Sequence, residues 1–434
     1  MARTAAGLPD GSRITDYISL GVVAKTFPKA LVQDILVRTG KTSARQRDLP
    51  AHVVVYYVIA LALYMQSSTR EVLRCLLEGV QWLTNHEVEP KVAVRSSISQ
   101  ARIRLGWEPI RLLHDEIVHP IATKGTPGAW YRQWRVVSID GSTLDVPDEA
   151  DNKEAFGTQV PGHGETAFPI IRFVSLCEVG THVLFGTRMA PYSVGEVTLA
   201  EEVLPRLKPD MLCLADRGFY SYRLWKLAQA TGAELVWRLK KDLILPREKS
   251  LPDGSFLSTF YESRRDRERC RNGIPVRVVE YTLEGLADAE PNYRLATTIL
   301  VAEKAPAKEL AALYHERWEI ESSFDELKTH LRGRQITLRS KTPDLVTQEF
   351  YGMMMAHFAI RGLMHEAALK EEVDPDRLSL ARRCFVWVTG SYRAYGRQHA
   401  ECRPGSASGR GRTGGRAGRA SQVRPPGRGL PPAG

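Results

Sequence analysis

Four polar residues within one helical stretch have the spacing of a shared face. The stretch contains Tyr314, Arg317, Glu321 and Lys328, at offsets of 0, 3, 7 and 14 residues. At 3.6 residues per turn these offsets put all four side chains on one stripe, which indicates a catalytic face. The ordinary alternative for a single helix of this kind is a solvated surface with an ion pair between Arg317 and Glu321. Acids elsewhere in the chain decide between the two interpretations.

Glu321 is the acid that this face presents. With Tyr314 set at 0°, Glu321 lies at about 340°, whereas Glu319 and Glu326 lie at about 140° and 120°. Asp325, at about 20°, shares the side of Glu321. We therefore expect Glu321 to be the functional carboxylate of a helix that covers residues 307–331.

Two aspartates supply the other acids that such a site needs. Asp140 ends a predicted strand and precedes Gly141, and Asp216 ends a later apolar run. Each aspartate alone could be an ordinary turn residue. Three carboxylates around one point, however, repel one another unless cations lie among them. Such hard oxygen ligands suit Mg²⁺ or Mn²⁺, and two ions ~3.5–4 Å apart can stabilise the attacking and leaving oxygens of phosphodiester cleavage.

The order of the predicted elements explains how these acids could meet. Between residues 135 and 239 the hydrophobic pattern predicts β-β-β-α-β-α-β, followed by the helix with Glu321. This order resembles the α/β ribonuclease-H-like fold, in which the first and fourth strands are neighbours. The resemblance implies that Asp140 and Asp216 lie side by side. The predicted elements are strands 135–140, 170–178, 182–188, 211–215 and 234–239 and helices 195–207 and 222–231.

Other regions surround this core. Residues 14–121 are helical in pattern, and within them 96–104 could be a DNA-recognition helix or a plain surface helix. Alternating residues between 240 and 302 predict a β-rich insertion. An apolar helix over 344–369 carries a Met cluster, which is typical of a core or a subunit contact. From 397 the chain is rich in Arg, Gly and Pro, so we expect a disordered tail.

Composition indicates a large globular protein whose mildly basic charge suits a polyanionic partner. Its 434 residues carry a net charge of +10, but the last 32 residues hold seven arginines and no acid, which leaves +3 for the rest. Six cysteines show no zinc-like spacing, which favours reduced thiols. The longest apolar run, Val53 to Met65, is shorter than the ~18 residues of a membrane span. A cytoplasmic, nucleoid-associated protein is expected.

The motifs are similar to those of the DDE transposases of bacterial insertion sequences, in the IS-four family branch with the signature Y-x2-R-x3-E-x6-K. Residues Tyr314 to Lys328 match this signature at every fixed position, and Asp216-Arg217-Gly218-Phe219 matches the second element of the branch. The resemblance covers about Ser12 to Leu369. It implies a DNA strand-transferase that uses two Mg²⁺ ions, with Mn²⁺ as the alternative.

Residue roles follow from the resemblance alone. The metal-binding and catalytic triad would be Asp140, Asp216 and Glu321. The three other residues of the signature would hold the DNA end, chiefly its phosphates; they are Tyr314, Arg317 and Lys328. Relatives stack an aromatic residue of the insertion on a base that flips out during hairpin formation, for which Tyr293 is the first candidate and Trp237 the second. For both aromatics the more common role of an aromatic in a strand is core packing.

The implied reaction is cut-and-paste transposition through a hairpin, with no covalent protein–DNA intermediate. The partners would be terminal inverted repeats and target DNA, bound by a homodimer. Two alternatives stay open: a non-catalytic, DNA-binding relic, and a nuclease that cuts without joining. The expected division is a helical DNA-binding region (1–125), a ribonuclease-H-like core (130–239 and 303–335), the β-rich insertion (240–302), a helical carboxyl-terminal region (336–396) and the tail (397–434).

Overall fold

One mixed β-sheet runs through the chain and positions the acids. The computed structural model describes residues 21–43, 49–65, 67–84, 92–158, 168–282, 292–331 and 337–375. The predicted tail lies outside these residues. The strands are β1 (Trp130–Tyr131), β2 (Trp134–Asp145), β3 (Ile170–Glu178), β4 (Val183–Pro191), β5 (Met211–Ala215), β6 (Glu234–Arg238), β7 (Lys249–Ser250), β8 (Phe256–Phe260), β9 (Ile274–Tyr281) and β10 (Tyr293–Thr297).

The first half of the sheet has the predicted ribonuclease-H-like topology. The spatial order is β4-β3-β2-β5-β6, with β2, β3 and β4 antiparallel and β5 and β6 parallel to β2. The short apolar run of β5 is fully buried, as expected for a central parallel strand that is covered on both faces. The expected α/β fold class is confirmed.

The insertion extends this sheet instead of forming a separate one. β10 pairs antiparallel with β6, and the order continues through β9 and β8 to β7. Arg238 at the end of β6 lies opposite Leu295 of β10. The β-rich character predicted for 240–302 is confirmed, and the shared sheet gives the insertion a fixed position beside the strand that precedes it.

Most of the predicted helices are present, but the helix predicted over 307–331 is interrupted, and helices at Ala150–Phe156 and Arg264–Glu268 were not predicted. A long buried helix, α12 (Pro343–Lys370), packs against α2 (Ala51–Leu63) near the amino terminus, where a Cβ on Gly352 would lie 2.7 Å from the carbonyl oxygen of Val58. The predicted Met cluster, Met353 to Met355, is fully buried in α12. The helices are α1 (Lys29–Arg38), α2 (Ala51–Leu63), α3 (Thr69–Thr84), α4 (Arg95–Leu105), α5 (Glu108–Ile117), α6 (Ala150–Phe156), α7 (Glu196–Val203), α8 (Tyr222–Gln229), α9 (Arg264–Glu268), α10 (Ala307–His315), α11 (Trp318–Asp325) and α12 (Pro343–Lys370).

The helical region and the sheet share one core. A continuous cluster of buried apolar side chains extends from Val23 through the strands to Ala359 in α12. In α4, for which the sequence leaves a DNA-recognition helix and a plain surface helix open, Arg102 is buried and its guanidinium donates to Gln348 at 2.7 Å and Ser340 at 3.0 Å. Arg102 therefore ties α4 to α12, while the division into domains stays a prediction. Across the described ranges, no helix has both the length and the apolar character of a membrane span.

Candidate active site

Asp140 and Asp216 lie next to each other across two parallel strands. Ile139 of β2 is in register with Ala215 of β5, so the next residue on each strand is an aspartate. Asp216 directly follows β5, as predicted, and its carboxylate accepts a hydrogen bond from the backbone N–H of Gly218 at 2.7 Å. Neighbouring strands are ~4.8 Å apart, so the two carboxylates share one edge of the site.

Asp140 is within its strand and not at the end that the sequence predicts. β2 continues for five residues beyond it, because the backbone from Gly141 to Asp145 pairs antiparallel with β3. Small and polar residues in this extension do not have the apolar alternation of a strand, and pairing with a neighbour holds it extended instead. The acid thus projects from a rigid, central part of the sheet.

Glu321 reaches the same site through Arg317. The guanidinium of Arg317 donates to Asp140 at 3.2 Å and to Glu321 at 3.1 Å. Arg317 is buried, whereas Glu321 is partly exposed. One cation therefore bridges an acid of the sheet and an acid of the helix, which brings together two of the three predicted catalytic residues.

The helix with Glu321 is not the single regular helix that the spacing predicts. α10 ends at His315 and α11 begins at Trp318, and hydrogen bonds three residues apart tighten the chain between them. From Glu326 to Leu331 the chain then forms a wider π-helix. The period of 3.6 residues per turn fails at both places, so the shared stripe predicted for Tyr314, Arg317, Glu321 and Lys328 is not continuous.

Tyr314 and Lys328 lie on either side of these irregularities. The hydroxyl of Tyr314 is buried and donates to the carbonyl oxygen of Ala215 at 3.4 Å, directly behind Asp216. Burial raises the pKa of Tyr314, so the phenol stays protonated. Lys328 is partly exposed in the π-helix. Tyr314 therefore stabilises the backbone just before Asp216, whereas Lys328 lies partly exposed on the helix.

Burial dominates the electrostatics of Asp140. It raises the pKa of Asp140 to about 6, opposed by the Gly141 N–H and by Arg317, while the nearby carboxylates of Glu196 and Glu321 raise it further. Glu196 comes from the start of α7, and a Cβ on Gly141 would lie 2.6 Å from its carboxyl carbon. Glu196 was missed by the sequence reasoning, because nothing but the fold brings α7 to this strand.

The three predicted acids fit a hard cation by chemistry, but Arg317 lies between two of them. Within the described ranges, no group of three or more His, Cys, Asp or Glu side chains is close enough together to hold a metal ion. The donors Asp140, Asp216 and Glu321 are all carboxylates, the ligands that Mg²⁺ prefers. Asp140 is also sufficiently buried that its charge needs a nearby cation, which Arg317 provides here.

The aromatic candidates for base stacking differ in their access. Trp237 is fully buried against Trp225, with ring centroids 5.3 Å apart, so the second-choice assignment is wrong for this arrangement. Tyr293 stacks on Tyr281 at 5.3 Å, and the Arg238 guanidinium lies 4.6 Å from its ring centroid. Trp318, which the sequence reasoning overlooked, is 60% exposed. Its position directly after Arg317 in the signature was the available signal.

The face of the helix opposite Glu321 is held by a buried polar network. His182, in the turn between β3 and β4, contacts Glu326 through Nδ1 at 3.1 Å and Glu319 through Nε2 at 3.7 Å. Glu326 also accepts from Arg361 of α12 at 3.3 Å. Nε2 of His357 lies 3.4 Å from the other carboxylate oxygen of Glu326. His182, His357 and Arg361 lower the pKa of Glu326, which is therefore ionised.

Comparisons with known families agree with this geometry. The family model described as "Transposase DDE domain" matches residues 132–359, and the family model described as "Insertion element 4 transposase N-terminal" matches residues 17–115. Transposase InsG for insertion sequence element IS4, from Escherichia coli (strain K12), is 27% identical over 365 residues, which are 82% of this chain and 79% of InsG.

Further matches are more distant. InsZ of the same strain is 24% identical over 222 residues, covering 51% of this chain and 71% of InsZ. A cryo-EM structure of the piggyBac transposase synaptic complex with hairpin DNA matches 88% of this chain and 82% of its own, at 13% identity and a TM-score of 0.44.

Proposed function

Because the chain belongs to the family of DDE transposases, enzymes that cleave and transfer DNA strands, we propose that it moves an insertion sequence by cut-and-paste transposition. Asp140, Asp216 and Glu321 are the proposed catalytic carboxylates, and they would hold two Mg²⁺ or Mn²⁺ ions. The observation that carries this assignment is the register of β2 and β5, which makes the two aspartates neighbours, together with the contact of Arg317 with both Asp140 and Glu321.

The residues around the acids have separate tasks in this proposal. Divalent cations, when bound, supply an activated water and stabilise the leaving oxygen of the cut strand. Arg317 holds Asp140 and Glu321 in place, and its charge also suits a phosphate of the DNA end. Tyr314 supports the carboxyl end of β5 behind Asp216. Tyr314 and Lys328 are the other two proposed contacts of the DNA end.

Base stacking in the proposed hairpin step has two surface candidates. Tyr293 lies in β10 of the insertion, the region that the family resemblance favours, and its ring already stacks on Tyr281. Trp318 is the more exposed ring and lies next to Arg317, whose guanidinium carbon is 5.5 Å from the indole centroid. An exposed aromatic beside a phosphate-binding cation is the arrangement that stacks on an unpaired base.

The proposed triad is tested by Glu321→Gln, which removes the charge and keeps the shape. We expect it to abolish Mg²⁺-dependent cleavage of a duplex that carries the inverted repeats flanking the gene, while binding of that duplex persists. Asp325→Asn, an acid on the same helix that accepts a hydrogen bond from Thr329 at 2.6 Å, is the matched control and should cleave normally. Cleavage by Glu321→Gln at the wild-type rate would contradict the assignment.

A further inference from the structure

A groove in the insertion begins beside the turn that carries Asp216. It encloses a cavity of about 340 Å³ between the loop that follows β6 and the segment that joins β8 to α9. Its walls combine aromatic and aliphatic side chains with three cations and two acids, Asp242 and Glu262. The residues that matter here are Tyr220, Lys240, Ile244, Tyr261, Arg264 and Arg267.

The groove is connected to the catalytic site by a tight turn. The backbone N–H of Phe219 donates to the carbonyl oxygen of Asp216 at 3.2 Å, so Tyr220 is within one turn of that acid. The ring of Tyr220 packs on Phe260 of β8, with centroids 5.0 Å apart. Tyr222 then donates to the carbonyl oxygen of Asn272 at 2.6 Å. These contacts fix one wall of the groove to the Asp216 turn.

The outer lip of the groove is unusually basic. The eight residues from 264 to 271 contain five arginines and two acids. The side chain of Arg264 is 84% exposed, and its partner Glu268, at 2.9 Å, is 60% exposed. An exposed pair of this kind stabilises a protein by less than about 1 kcal/mol, so folding does not account for the arginines. Lys240 adds a further exposed cation on the opposite wall.

The other lining groups narrow the choice of ligand. Ile244 is 73% exposed, although it is aliphatic, and two tyrosines lie beside the cations. Cationic side chains along an open groove are typical of surfaces that contact the phosphates of a duplex. Because this groove is open along the surface, it can follow an extended polyanion.

We propose that this groove binds the phosphodiester backbone of duplex DNA on the Asp216 side of the catalytic site, with Arg264 and Arg267 as phosphate contacts. The proposal rests on the proposed function, because it needs DNA at the three carboxylates. It adds a contact surface in the insertion that is separate from the signature residues of the helix. Since phosphates carry no sequence information, the groove should hold any duplex equally well.

The test is the salt dependence of DNA binding by Arg264→Gln/Arg267→Gln. Anisotropy titrations at several KCl concentrations would use a duplex with the flanking repeats and an unrelated duplex of equal length. Each lost phosphate contact should reduce the slope of log K against log salt by about 0.9, so the double variant should lose about 2. The same relation gives about 8-fold weaker binding per contact at 0.1 M salt, or about 60-fold for both.

The matched control removes the same charge at the other end of the strands. Arg132→Gln/Lys208→Gln alters two exposed cations that precede β2 and β5, opposite Asp140 and Asp216. This variant should keep the wild-type slope. If Arg264→Gln/Arg267→Gln loses the same affinity and salt slope on both duplexes, with unchanged thermal stability, the result supports DNA binding in the groove. A double variant that binds like the control overturns the groove alone, provided that the wild type cleaves; a wild type that neither binds nor cleaves overturns both proposals.

Discussion

Replacing Asp140 with asparagine should stabilise the metal-free protein at neutral pH. The pKa of Asp140 is raised from 3.8 to about 6, mainly because its carboxylate is buried and close to other acids. A shift of about two units corresponds to ~3 kcal/mol between the charged and neutral forms. Its side chain is 22% exposed, so solvent screens this difference little. The shift already contains the attraction of Arg317, and asparagine resembles the neutral acid.

The sign of the effect sets its pH range. A raised pKa means that the folded protein holds the proton more tightly than the unfolded chain does. The stability due to this proton is fully present below about pH 4, is lost as the pH rises to about 6, and stays lost above that. The free energy of unfolding of Asp140→Asn should therefore exceed that of the wild type by up to ~3 kcal/mol at pH 8 and by almost nothing at pH 4.

The assay is thermal unfolding in EDTA at pH 8, 6 and 4. For a cooperative unit of roughly 350 residues, ~3 kcal/mol corresponds to a shift of about 4 °C in the midpoint. Asp325→Asn, at an exposed position of the helix that carries Glu321, should show no such difference. A variant less stable than the wild type at pH 8, or an advantage that persists at pH 4, would refute the claim that the burial of Asp140 is costly.

Three other changes test the support of the site. Glu326→Gln should lower the free energy of unfolding by ~3–5 kcal/mol in urea titrations, because Arg361 stays buried without its charge partner. Gly352→Ala should lower the free energy of unfolding by ~1–3 kcal/mol in the same titration, because its Cβ would clash with the backbone of α2. Gly362→Ala, in the same helix, has nothing within 4 Å of the added Cβ and should not destabilise the protein. Trp318→Ala should weaken binding of hairpin-end DNA by ~1–3 kcal/mol in anisotropy titrations, with unchanged melting, if its exposed ring stacks on a base.

The sheet could be predicted from sequence because its strands carry a local signal. The run from Met211 to Ala215 is continuously apolar, and the structure has it as β5 with the same bounds. The position of Asp216 follows from that strand. By contrast, the extension of β2 beyond Asp140 depends on pairing with β3, whose partner residues are 25 to 33 positions away, and no local pattern in Gly141–Asp145 indicates it.

The site itself was only partly predictable. The spacing of Arg317 and Glu321 predicted their contact, since residues four apart meet on any helical turn. The tight segment near Glu316 and the π-helix after Asp325 were missed, because a helical wheel assumes one period throughout. The contact of Arg317 with Asp140 and the approach of Glu196 to Gly141 join segments that are distant in the chain. Only the folded sheet brings those segments together.

The acids that the wheel places away from Glu321 explain how this helix holds the partly exposed carboxylate of Glu321, the proposed catalytic acid, in position. Glu319 and Glu326 lie two residues before and five residues after Glu321, and both contact His182. Glu326 is also held by Arg361, so the opposite face of the helix is fixed to both α12 and the β3–β4 turn. The chain from Trp318 to Asp325 is a regular α-helix, in which five residues turn by about 500°, so Glu326 lies about 140° from Glu321. Glu326 therefore contacts His182 on one side of the helix, while Glu321 contacts Arg317, which also binds Asp140, on the other.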